Sequence, residues 1–153
     1  MSFAIRSAIE SDIPFILEGY RDINRAVPMQ TDQQLTAQKI RDDILGQVPK
    51  AFINVAVYNE TVIGFIFYST VYFATTGVNA WVTNLYVERF APRPGITSVG
   101  RRLLDNITIR HPDIKGVYAV TERNNKAMQS LITHYGGSVF EHFLFIGGPP
   151  RHD

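Results

Sequence analysis

From Thr61 to Val87 the chain carries no Asp, Glu, Lys or Arg, a run longer than the ~20 residues that a membrane-spanning helix needs. Its make-up decides against such a helix. Gly64, Asn79, Asn84 and many Thr, Ser, Tyr, Phe and Val are interleaved, and Thr75-Thr76-Gly77 breaks the middle. That composition predicts two sheet strands joined by a turn, in a chain whose core is built around them.

The remaining composition narrows the class. With 153 residues, 45% apolar and 19% charged, the chain has the size of one globular domain, able to bury roughly 68–70% of its unfolded surface without a metal or disulfide staple. It has no cysteine, which excludes a disulfide framework, a Cys-ligated zinc or iron–sulfur centre and a cysteine nucleophile. Fifteen basic residues, eleven of them Arg, face fourteen acidic ones for a net charge of +1, so neither nucleic acid nor anionic lipid is an expected partner. The start, Met1 to Arg6, meets a charge at once and acids at Glu10 and Asp12. No apolar signal core stands there, and a cytoplasmic location is expected.

Along the chain, Ile5 sits in a short apolar start. Ser11-Asp12-Ile13-Pro14 then offers a cap and a first-turn proline, and Ile13, Ile16, Leu17, Tyr20 and Ile23 recur at helical spacing on one face. A weaker helix is predicted from about Thr36 to Leu45, with Gly46 as a stop. Strands are predicted at Phe52–Tyr58 and Val62–Phe73, joined through Asn59-Glu60, and at Val78–Val87. After an Arg- and Pro-rich connection, a helix is expected from about Ser98 to Ile109 with Val99, Leu103 and Ile107 inward. A strand at Gly116–Thr121, a helix at Asn124–Tyr135 closed by Gly136-Gly137, and a last strand at Val139–Ile146 complete the order. The expectation is therefore a single α/β (α+β) domain over 1–146, with a mixed, mostly antiparallel central sheet flanked by about four helices, and a loose tail over 147–153.

The chemistry concentrates where the strand Val78–Val87 hands over to the next helix, through Arg93-Pro94-Gly95-Ile96-Thr97-Ser98-Val99-Gly100-Arg101-Arg102. A helix that begins after a strand presents unpaired N–H groups and the positive end of its dipole, which together bind phosphate oxygens. Gly95, Ser98 and Gly100 are small enough for close approach, and Arg93, Arg101 or Arg102 can add charge-assisted bonds. A tight turn and a helix cap would use the same residues. No Gly-x4-Gly-Lys-Ser/Thr occurs and no Gly-x-Gly-x-x-Gly follows the first strand, so P-loop and Rossmann readings lose their support.

This order resembles the GNAT superfamily of acyl-CoA-dependent N-acyltransferases over nearly the whole chain. Ile5-Arg6-Ser7-Ala8 with Asp12 is similar to that family's usual opening, Val62-Ile63-Gly64-Phe65 to its third strand, and Leu85-Tyr86-Val87 to its central strand. Asn125-Lys126-Ala127-Met128, with Leu131 and then Gly136, resembles its last helix. The family's loop, Arg/Gln-x-x-Gly-x-Gly/Ala, aligns with Gly95 at the Arg/Gln place, Ser98 at the first Gly and Gly100 at the last, so two of the three positions depart.

The resemblance implies acetyl-CoA as co-substrate and no metal. Its pyrophosphate would lie on the N–H groups of Gly95, Ile96, Thr97, Ser98, Val99 and Gly100, beside Arg93 and Arg101. Its pantetheine arm would pair with Leu85, Tyr86 and Val87 as an added strand, with Asn125 bonding the amides. A carboxylate introduced at Gly100 is then expected to repel the phosphates. An N–H near Val87 would polarise the thioester carbonyl for direct attack by a neutral primary amine of an unidentified small molecule or peptide. The tyrosine acid of many members falls on Leu131, leaving Tyr135 one turn later as the candidate, with the strand tyrosines Tyr86 and Tyr118 as further phenols that more often pack with the hydroxyl at the rim. The usual acidic place on the central strand falls near Trp81, leaving Glu88 and Glu122 as candidate bases. These departures keep a second reading open, an inactive acyl-CoA-binding or protein-interaction module. His111, His134, His142 and His152 show no metal-ligand spacing. The alternating aromatics Phe65, Phe67, Tyr68, Tyr72 and Phe73 read as strand faces, whose exposed half could pair two copies of the chain or line an acceptor pocket.

Overall fold

The computed structural model describes residues 2–26, 35–90, 98–119, 126–134 and 136–137. Strand β1 (Phe3–Ser7) leads through a 3-10 turn (Glu10–Asp12) into helix α1 (Ile13–Ala26), followed by α2 (Ala37–Asp43). Next come β2 (Phe52–Tyr58), β3 (Thr61–Phe73) and β4 (Gly77–Val87), then α3 (Ser98–Arg110), β5 (Val117–Ala119) and α4 (Lys126–His134). The charge-free run is thus a pair of long strands. No helix among the described residues is long and apolar enough to cross a membrane.

The sheet runs in the order β1-β2-β3-β4-β5. The first four strands pair antiparallel with their sequence neighbours, and β5 lies parallel to β4. The expected mixed, mostly antiparallel sheet with four helices is what forms, and β4 serves both halves. Asn59 and Glu60 turn the β2–β3 hairpin with φ of 49° and 68°, the double positive φ of a two-residue hairpin turn, here adopted without glycine.

Each face of the sheet carries its own apolar layer. On one, Val99, Leu103, Leu104 and Ile107 of α3 pack on Ile66, Tyr68, Ala80 and Val82. On the other, Ile13 and Ile16 of α1, Ile40 of α2 and Ile44 just after it pack on Ile53, Val55 and Phe65. The inward stripe expected for α3 packs there, as do Ile13, Ile16, Leu17 and Ile23 of the five residues expected for α1.

Local chemistry adjusts two expected boundaries. Asp12 does not cap α1: its carboxylate takes the Arg6 guanidinium at 2.6 and 3.0 Å and the Ile9 N–H at 2.8 Å, which closes the 3-10 turn ahead of the helix. Thr36 stands just before α2 and caps it, accepting from the Lys39 N–H at 3.2 Å. The expected strand Val139–Ile146 and the tail 147–153 lie outside the described residues.

Candidate functional site

The β3–β4 ladder slips by one residue between Phe67↔Asn84 and Tyr68↔Val82, leaving Thr83 as a bulge. Because side chains alternate along a strand, the extra residue moves the inward set from Val78, Ala80 and Val82 to Leu85 and Val87. Tyr86 consequently turns to the α1 face, where it packs with Phe15 and Phe65. Described pairing with β5 covers Ala80, Val82 and Trp81 between them, while β4 runs on to Val87.

Helix α3 begins over this stretch. Val99 is fully buried in the layer that also takes up Leu85 and Val87, so only its backbone can face a ligand. A Cβ placed on Gly100 would lie 3.2 Å from Leu131 Cδ2 and 3.6 Å from Leu85 Cδ2. Gly100 therefore provides the close approach of α3 to α4 and β4, and its missing side chain points at packed leucines. The expectation that a carboxylate there acts by repelling phosphate gives way: it would first disrupt this packing. Arg101 is exposed on the first turn of α3, whereas Arg102 lies over the Phe3 ring at 4.1 Å, directed toward β1.

At the end of β4, Glu88 donates its N–H to the Ile63 carbonyl at 2.7 Å. The Tyr86 phenol reaches Glu88 Oε2 at 3.0 Å and Asp22 Oδ2, on α1, at 2.9 Å. Glu88 is thus a half-buried carboxylate held by a phenol, with a second carboxylate beside it. Asp22 was not among the sequence candidates. Gly19, three residues earlier and on the same helix face, would place a Cβ 2.7 Å from both the Tyr86 and Phe65 rings, so this glycine admits the ring and Asp22 meets its hydroxyl. A glycine inside an amphipathic helix, followed at i+3 by an acid, was the available signal.

Burial, then the bonds to Asp22 and Glu88, push the Tyr86 phenol well above its ordinary range. A raised folded-state pKa gives stability that is complete below the ordinary phenol value of about 10 and is lost as pH rises beyond it. Tyr86→Phe is accordingly expected to flatten the alkaline fall of the urea midpoint above about pH 10. An unchanged alkaline limb would refute this environment.

Trp81, near the place where the resemblance expects an acidic residue, stacks beside Tyr118 with centroids 6.4 Å apart, and Tyr118 meets the edge of Phe73 at 5.2 Å. Leu131, at the family's tyrosine place, packs against the α3 layer. Arg93, Gly95, Ile96, Thr97, Glu122, Asn125 and Tyr135 lie outside the described residues, and of Ser98 only the backbone is described. No group of three or more His, Asp or Glu able to hold a metal occurs among the described residues.

No protein-family model and no curated protein sequence matches the chain. Solved structures do. A "possible acetyltransferase" from Clostridium difficile 630 superposes with a TM-score of 0.75 at 16% identity, over 99% of this chain and 100% of that one. The chain has the GNAT fold. The ribosomal-protein-alanine N-acetyltransferase of Brucella melitensis biovar Abortus 2308 shares this GNAT architecture at a TM-score of 0.74 and 13% identity, covering 97% of this chain and 100% of that one. An aminoglycoside acetyltransferase from an uncultured soil metagenomic sample, solved with sisomicin, does so at 0.68 and 13%, covering 97% of each chain. At such identities the likeness speaks for the GNAT fold, and chemistry has to be argued from the site.

Proposed function

We propose that the protein is an acetyl-CoA-dependent N-acetyltransferase that moves an acetyl group to a primary amine of a small molecule or peptide. One observation carries this reading: the first turn of α3 sits against Leu85, beside the part of β4 that continues past its described pairing with β5. The first-turn N–H groups and positive dipole end of α3 suit a pyrophosphate, with Arg101 on the same turn. The backbone of Leu85, Tyr86 and Val87 suits the amides of an extended pantetheine arm. These described groups support a coenzyme of that shape and charge.

In the reaction the acceptor nitrogen attacks the thioester carbonyl carbon. A C–N bond forms, the C–S bond breaks, and the departing thiolate takes up a proton. An alkyl ammonium with a pKa of about 10 has first to lose a proton. Glu88, oriented by the Tyr86 hydroxyl, is the carboxylate proposed to accept it, directly or through water. Glu122 and Tyr135 stay as proposals for a second base and for the acid. Orientation of the two substrates supplies much of the rate.

Calorimetry with acetyl-CoA, together with thiol release in the presence of polyamine, amino acid, aminoglycoside and peptide acceptors, tests this reading. Saturable binding and amine-dependent thiol release are expected. Absence of binding overturns the coenzyme site. Binding without release from any acceptor would replace the enzyme by an acyl-CoA-binding module, a reading that the packed Leu131 and the stacked Trp81 favour.

A further inference from the structure

Far from the β4 terminus, a polar cluster is built into the layer between α3 and the sheet. Asn54 of β2 and Tyr68 of β3 are both fully buried, and Asn106 and Arg110 of α3, with His111 just beyond, close around them. Arg110 Nη1 donates to Asn54 Oδ1. Since a guanidinium only donates, this contact fixes the amide: its oxygen faces Arg110 and its nitrogen faces the other partners. Asn54 Nδ2 then donates to the Tyr68 hydroxyl oxygen at 3.2 Å and to Asn106 Oδ1 at 3.1 Å.

The direction of the next bond follows. With its oxygen receiving Asn54, the Tyr68 phenol has its proton to give, and His111 Nε2 stands 3.0 Å away. Nε2 is the acceptor that the described groups offer to that proton, which places the ring proton on Nδ1 and leaves the imidazole neutral. Phe52 flanks both rings, stacked on Tyr68 at 5.4 Å and edge-on to His111 at 4.5 Å, and carries the Arg110 guanidinium over its face at 4.9 Å. A proton on Nε2 would strip the buried phenol proton of its described acceptor.

We propose that His111 is a proton-operated latch: neutral, with its proton on Nδ1, it fastens the C-terminal end of α3 to β3 through Tyr68, and a proton on Nε2 undoes the fastening. This holds whatever reaction the other end of α3 serves.

The groups facing the ring agree. Burial, then the Arg110 charge, lower the His111 pKa, while Asp113 in the following turn opposes them with a smaller effect. Tyr68, Asn54 and Phe52, from the two strands packed against it, carry no charge while the phenol keeps its proton, and burial raises the Tyr68 pKa. A lowered folded-state pKa contributes stability that is complete above the ordinary imidazole value of about 6.5 and is lost as pH falls from there through the folded value.

Long-range proton–nitrogen correlation at about pH 7.5, where an ordinary imidazole is mostly neutral, reads the tautomer directly. One histidine is expected with a bare Nε2 and a protonated Nδ1, and that signal is absent from His111→Gln. The urea midpoint of the native protein should drop between about pH 7.5 and about pH 5.5. In His111→Gln, whose amide oxygen can take the Tyr68 hydroxyl without titrating, the drop should be shallower. If that variant does not fold, Tyr68→Phe assigns the resonance through its shift. A proton on Nε2 at neutral pH, a His111 that titrates at or above the ordinary value, or equal pH slopes in the two proteins overturns the latch.

Discussion

Gly64→Ala is expected to cost about 2 kcal/mol of folding stability, a large effect for a single methyl group, and to weaken acetyl-CoA binding as well. Gly64 lies directly opposite Val87 in the β3–β4 ladder. A Cβ there would stand 2.7 Å from the Tyr86 carbonyl oxygen and 3.4 Å from Val87 Cα. Both are main-chain atoms, so no side-chain rotation relieves the contact and β4 itself has to move. The displaced peptides are those proposed to pair with the pantetheine arm. Urea denaturation reads the first effect and calorimetry with acetyl-CoA the second. A midpoint equal to that of the native protein would mean that the strands do not approach this closely. A lost midpoint with undiminished affinity would keep the packing and remove Tyr86–Val87 from the coenzyme site.

The same ladder shows what could be read in advance and what could not. Strands β3 and β4 were legible because a charge-free stretch rich in Val, Phe, Tyr and Thr, cut by Thr75-Thr76-Gly77, has few other soluble solutions. The α1 and α3 stripes were legible because helical spacing fixes a face. The bulge at Thr83 went unread, although its trace is present: apolar residues at 78, 80 and 82 give way to 85 and 87 across the polar pair Thr83-Asn84. Alternation alone does not say which strand carries an extra residue, since that is set by the partner's register.

Polar side chains inside the structure were the least legible. Tyr86 finds Asp22 across 64 positions of sequence, and Asn54 finds Asn106 and Arg110 across 52 and 56. None of these pairs has a local signature, because β4 and α3 become neighbours of α1 and β2 only once the sheet has closed. Glu88, a candidate base in the sequence, is held by the Tyr86 hydroxyl two residues before it, and that ring is in turn placed by its packing with Phe15 and Phe65. Trp81 and Leu131 behave as their types suggest, one stacked and one packed. What they displace from the usual acid and base places is visible only against the family pattern.

The opening Ile5-Arg6-Ser7-Ala8 with Asp12, which in sequence resembles the GNAT start, acquires a physical reason in the Arg6–Asp12 pair, and with it the last large effect to be expected. The Asp12 carboxylate is 2% exposed and Arg6 38%. The guanidinium grips both carboxylate oxygens, and the Ile9 N–H supplies one more bond. Removing the cation leaves a buried anion with a single described donor, a situation worth roughly 3–5 kcal/mol in comparable pairs. Arg6→Ala should cost about 3 kcal/mol, the lower end of that range, since water already reaches the outer side of the guanidinium and screens it. The loss would be felt where β1 turns into α1. If uncompensated charge is the cause, adding Asp12→Asn to Arg6→Ala should recover about half of the lost stability, because the amide oxygen still accepts from Ile9 and carries no charge. If the cause is lost packing of the arginine stem, the double variant will be no more stable than the single one. A urea titration of the three proteins separates the two explanations, and a cost below about 1 kcal/mol for Arg6→Ala would place the pair among screened surface contacts.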